Sequence, residues 1–276
     1  MPASELLLGA TAFFHQPVDF NQVVEASVQF PLIQFVELRG ETPFLFPGKT
    51  TEEDLDLYRQ VLREAGLRST VHTTMYDINL ATLNPYQKDA NIACYKKYLD
   101  FAAAVGAEVI VVHGGELYEE FVNHPLSDEF LETARAHLCE SLWELGEYAR
   151  QLGIKIGLEN SPPSSSKMRI VFNPESQIQI LDRVNHPNVG ALLDFAHAFL
   201  WGFDLTAYLE AIHPYLVEFH AHNNWGKGDD HLGLHQGEID YRPLLNHPLV
   251  QGIPFIMEIR SYQELVQTMR WLEKVL

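Results

Sequence analysis

The sequence predicts a single (β/α)8 barrel over residues 1–276, on three observations. The length is close to the usual size of one such barrel, enough to bury about three quarters of the unfolded surface. Short β-branched runs alternate with longer segments of helical period from end to end, the pattern of repeated βα units. His, Asp and Glu recur where those runs end, and a parallel barrel places its chemistry in the loops that follow its strands.

Taken in order, the strands are expected at residues 6–11, 33–38, 68–72, 108–113, 155–159, 190–194, 216–220 and 255–259. Between them lie helix start signals: Thr50 with Glu53 as a capping box, Asn84 before Pro85, and Asn173 before Pro174. The run Ser161-Pro162-Pro163-Ser164-Ser165-Ser166 follows the fifth strand directly and reads as an active-site loop, not a domain linker. A doubly wound open sheet is the alternative topology. The first strand, however, continues as Gly9-Ala10-Thr11-Ala12-Phe13-Phe14, without the glycine spacing that a dinucleotide requires.

Composition narrows the function classes. The formal net charge of −18, from 37 acidic and 19 basic side chains, opposes a phosphate backbone, so nucleic acid is not an expected partner. Residues 1–5 carry no basic region leading into a long apolar run, so neither a signal peptide nor a membrane span is expected. Cys94 and Cys139 fall inside helical patterns and read as buried thiols of a reducing compartment, which suggests a cytoplasmic protein. A homo-oligomer is possible, with the aromatic run Phe199 to Phe203 as a candidate interface. Trp201 and Phe203 would otherwise shape the pocket or simply pack.

The strand ends carry the chemistry. His72 and His113 each close an apolar strand, and Glu159 ends the fifth in a carboxylate that is costly to bury without a cation or proton. Asp194 and His197, three apart, can face one side of a first helical turn. In His220-Ala221-His222 the two imidazoles share a strand face. Asp229 and His231 follow in the next loop, and Glu258 ends the last strand. Glu37 and Arg39, ending the second strand, either contact substrate or form a surface pair.

The segment Asp194-Phe-Ala-His197-Ala-Phe199-Leu-Trp-Gly202-Phe-Asp204 resembles a signature of the type IV AP endonucleases, as do Leu158-Glu159-Asn160 and Asp229-Asp-His231. The whole chain resembles the xylose isomerase-like barrel superfamily, which holds those nucleases with sugar isomerases and epimerases. The nuclease resemblance implies His72, His113 and Glu159 on one metal. It implies Glu159, Asp194, His220 and Glu258 on a second, and His197, Asp229 and His231 on a third. The epimerase resemblance implies one divalent ion, Mn or Zn, on Glu159, Asp194, His220 and Glu258. In that case His72, His113, His197 and His222 would contact substrate, and Glu159 and Glu258 would serve as acid and base.

The departures fall in loops that meet substrate. Asp230 stands where the nuclease motif is basic, His235 and Gln236 replace a glycine and an acid, and Ser161-Pro162-Pro163 replaces a small turn. Three ions among four carboxylates leave the cluster about +2, suited to a phosphate ester. One ion among three carboxylates leaves about −1, suited to a neutral polyol whose proton moves through an enediolate. The expectation is therefore a metal-dependent isomerase or epimerase of a small sugar or hydroxycarbonyl compound. The alternatives are a trinuclear phosphodiesterase or phosphatase on a small ester, and a barrel that binds without turnover.

Overall fold

The computed structural model describes residues 6–12, 17–40 and 47–276; residues 1–5, Phe13 and Phe14 lie outside that set. Eight parallel strands close in the order β1-β10-β9-β8-β6-β4-β3-β2. They are β1 Leu7–Thr11, β2 Ile33–Arg39, β3 Arg68–His72, β4 Val109–His113, β6 Lys155–Glu159, β8 Val189–Asp194, β9 Leu216–Ala221 and β10 Pro254–Met257. Closure with helices between the strands decides against the open sheet. The last strand stops at Met257, two residues short of the expected end, so Glu258 begins the loop beyond it.

Two three-residue strands were not expected from the sequence. β5 (Glu116–Tyr118) and β7 (Lys167–Arg169) pair antiparallel beside the mouth of the barrel. They are too short to show a period of their own, and only their partner across the fold makes them strands. Glu116 of β5 is paired with both Lys167 and Arg169 of β7.

Alternation along the strands sorts side chains between the barrel interior and the helix layer. In β9, Phe219 packs outward against Phe195 and Phe255 at 5.4 and 6.0 Å, while Glu218 and His220 turn inward. Gly9 leaves room at the interior floor, where a Cβ would sit 2.5 Å from Ile256 Cδ1 and 2.7 Å from Phe35 Cβ. The interior is therefore apolar at its base and ionisable toward the C-terminal ends.

Two of the three helix signals form as expected. Asn84 accepts from the amides of Tyr86 and Gln87 ahead of the helix Pro85–Val105, and Asn173 accepts from Ser176 ahead of Pro174–Val184. The third is displaced by one residue: Thr51 and Asp54, not Thr50 and Glu53, make the capping box of Glu52–Ala65. The short Asp54 carboxylate reaches back to the Thr51 amide at 2.9 Å. Among the described residues no helix is long and apolar enough to cross a membrane. Neither cysteine is in a disulfide; Cys139 is buried and Cys94 half-buried.

Candidate metal centre

The nine residues that the nuclease resemblance assigns to metals converge at one end of the barrel, and His222 lies among them. Asp194 ends β8 in register with His220 of β9, and His113 of β4 is in register with Glu159 of β6. Glu159 Oε2 lies 3.0 Å from His113 Nε2, and Glu159 Oε1 lies 3.2 Å from His220 Nδ1. The His72 ring stands 5.0 Å from that of His113 and 5.8 Å from that of His220. Asp194 also caps the short helix Phe195–Leu200, accepting from the His197 amide, and this fixes the turn that brings His197 back over the centre.

Several groups present one donor atom each within 4.8 Å of one another. They include His72 with His113 and Glu159, and Glu159 with Asp194, His220 and Glu258. Toward the loop after β9, Asp229 Oδ1 lies 3.5 Å from His197 Nε2 and Asp229 Oδ2 lies 3.2 Å from His231 Nε2. Here His222 joins Asp229 and His231, and also joins Asp194 and His197. The His222 and His231 rings stack at 3.9 Å, which places His222 inside the cluster.

Hydrogen bonding separates His220 in β9 from His222 just beyond it. His220 is engaged at both nitrogens, with Nε2 3.0 Å from Glu37 Oε2 and Nδ1 3.2 Å from Glu159 Oε1. Neither nitrogen of His222 has a hydrogen-bond partner, nor do Asp194 Oδ2 and Asp229 Oδ1, although His222 Nε2 lies 3.3 and 3.4 Å from those oxygens. Buried polar atoms left this way cost free energy unless something completes them. A mixed imidazole and carboxylate set converging on one point fits a divalent cation, which accepts lone pairs from several donors at once.

The electrostatics follow from burial opposed by close partners. Burial raises the pKa of Glu159, but hydrogen bonds from His113 and His220 hold it well below the ordinary carboxylate range. Burial works against charge on His197, yet Asp194 and Asp229 keep its pKa well above the ordinary value. His220 behaves likewise, opposed by burial and raised by Glu258 and Glu37. His72 goes the other way, because burial and the Arg39 guanidinium both disfavour its cation.

The pocket over the centre is lined by His72, His113, Glu159, His197, Asp229, His231 and Glu258, with Arg39 and Arg169 beside them. Ser161 and Pro162 also line it, so the Ser-Pro-Pro segment meets the pocket as its position suggested. Trp201 is held elsewhere: its indole donates to Ser161 O at 3.0 Å and its ring packs 4.7 Å from Phe172. Phe203 packs on Tyr208, at 5.9 Å.

Glu37 and Arg39 are not a surface pair. Arg39 Nη1 reaches Glu258 Oε1 at 2.9 Å with 7% of its side chain exposed, and Glu37 is fully buried. A further buried acid, Glu218, was not singled out from the sequence; extending the His222, His220 alternation back one step would have found it.

Residues 33–275 match the xylose isomerase-like TIM barrel family. The chain belongs to that family. The uncharacterized protein MJ1311 of Methanocaldococcus jannaschii is 31% identical over 196 residues, covering 69% of this chain but only 63% of that relative's length. A probable endonuclease 4 of Citrifermentans bemidjiense is 26% identical over 225 residues, 74% of this chain and 75% of the other. Among solved structures, a D-tagatose 3-epimerase-like protein superposes with a TM-score of 0.83 over 98% of this chain and 96% of its own, at 20% identity.

Proposed function

We propose that this barrel is a divalent-metal-dependent isomerase or epimerase of a small sugar or hydroxycarbonyl compound. The observation that carries the reading is the pair Glu159 and Glu258. Both are buried, line one pocket and rise from strands three apart around the ring, and each is held by its own partners. Glu159 is oriented by His113 and His220, and Glu258 by Arg39. Two carboxylates fixed on either side of a substrate carbon can remove a proton from one face and return one to the other.

Glu159, Asp194 and Glu258 would hold the ion, with an imidazole from β9 completing the set. His220 takes that place, because its donor atom lies within 4.8 Å of those of the three carboxylates, whereas His222 groups with Asp194 and His197 and with Asp229 and His231. A bound divalent ion, Mn or Zn, supplies positive charge against the oxyanion that develops in an enediolate. His72, His113 and His197 face the same pocket and orient substrate oxygens. The acidic surface and exposed Asp230 favour a small molecule over nucleic acid, and two cysteines outside any disulfide suit a cytoplasmic protein. That several structurally similar barrels are described as sugar epimerases supports the same reading.

The test is solvent exchange. Metal-supplemented protein incubated in D2O with ketopentoses and ketohexoses should introduce deuterium at the carbon next to the carbonyl, with elemental analysis giving about one tight ion per chain. Hydrolysis of small phosphate esters without deuterium incorporation, with three ions bound, would establish the second reading, a trinuclear phosphodiesterase or phosphatase. The grouping of Asp229 and His231 with the centre and the similarity to endonuclease 4 proteins favour that alternative. Ligand-induced stabilisation without product under any metal would leave a binding protein.

A further inference from the structure

Glu37 belongs to none of the ligand sets above, yet it is as deeply buried as any of them. It sits in register with Thr11 of β1 and Thr70 of β3, one layer below the pocket. Thr11 Oγ1 donates to Glu37 Oε1 at 2.7 Å, and Glu37 Oε2 faces His220 Nε2 at 3.0 Å. The other nitrogen of His220, Nδ1, lies 3.2 Å from Glu159 Oε1 and 3.6 Å from Glu258 Oε2. A chain of contacts therefore runs Thr11, Glu37, His220, Glu159 from the end of β1 into the centre.

We infer that Glu37 is a positioning residue: by accepting the Nε2–H of His220 it fixes that ring, so that Nδ1 is aimed at the two carboxylates of the candidate metal centre. The geometry imposes this orientation. A carboxylate only accepts, so the nitrogen facing Glu37 must carry the proton, whether the imidazole is neutral or charged. Nδ1 is then left to serve the centre, either as a donor holding Glu159 or as a lone pair toward a cation. Carboxylates that orient imidazoles in this way typically change metal affinity 10- to 100-fold when removed. The inference rests on the proposed metal centre but not on the reaction assigned to it.

Glu37→Gln is the discriminating substitution. Thr11 donates to one oxygen, so the amide oxygen stays on the Thr11 side and the amide NH2 faces His220. Nε2 must then accept, and the proton moves to Nδ1. Nitrogen-15 histidine spectra of the metal-free protein should show His220 protonated at Nε2 in the parent chain and at Nδ1 in the variant. Mn2+ and Zn2+ titrations should show affinity reduced about 10- to 100-fold. Thr11→Val, which releases Glu37 without inserting a donor, should give a smaller loss with Nε2 still protonated, and it decides the matter if Glu37→Gln does not fold. An unprotonated Nε2 in the parent chain, or metal affinity unchanged in the variants, overturns the inference. Failure of the parent chain to bind either metal would instead sink the proposed function, leaving the tautomer measurement to judge Glu37.

Discussion

Replacing Glu218 by Gln is expected to stabilise the metal-free protein, by an amount that grows with pH. Glu218 is fully buried, and neither carboxylate oxygen has a hydrogen-bond partner. Burial first, and the neighbouring Glu37 second, raise its pKa well above the ordinary value, so the folded chain holds this proton where the unfolded chain has released it. A raised acid pKa has a definite sign in linkage. Stability falls as pH rises above the unfolded value, by about 1.4 kcal/mol for each pH unit over which the folded group stays protonated. Gln keeps the shape and cannot ionise. Above the unfolded value its advantage over Glu should therefore widen with pH, for as long as the folded group keeps its proton. Urea unfolding of both proteins in chelator at several pH values measures this directly. An advantage that stays constant across the range, or a variant that weakens as pH rises, would show that Glu218 is ionised and paired in the fold.

The remaining predictions concern the centre and the surface. Glu159→Gln and Glu258→Gln should each lower turnover about 10²- to 10⁴-fold with an unchanged circular dichroism spectrum, and more than about a tenth of the activity remaining removes that residue from catalysis. An abasic-site duplex should not bind at physiological salt, because the net charge of −18 opposes the phosphate backbone; tight, salt-sensitive retardation in a gel would promote the nuclease reading. Burial pushes the Cys139 thiol up to about 11, so at pH 8 only about one molecule in a thousand carries the thiolate. Iodoacetamide should thus leave Cys139 unlabelled in the native protein and label it in urea, and stoichiometric native labelling would show the helix Ser127–Leu152 opening.

What the sequence determined is what period and position determine. Short β-branched runs at the strands, segments of helical period between them and capping residues before some of the helices are local properties, so the βα units and their order could be read directly. The strand ends follow from that order, and a closed parallel barrel brings them together. The nine candidate residues were legible for this reason, although separated by up to 186 positions in the chain. Tertiary structure decided which side chains meet. His220 in β9 and His222 just beyond it look equivalent in sequence, but in the fold one lies against Glu37 and the other against Asp194 and Asp229. Arg39 lies one strand end from solvent by position, and closure of the ring between β1 and β10 brings it onto Glu258. The pairing of β5 with β7 likewise needs a partner about 50 residues away, which no local period encodes. Local preference sets the direction of each side chain, whereas distances across the barrel are set by closure and register, and the chemistry of this centre depends on both.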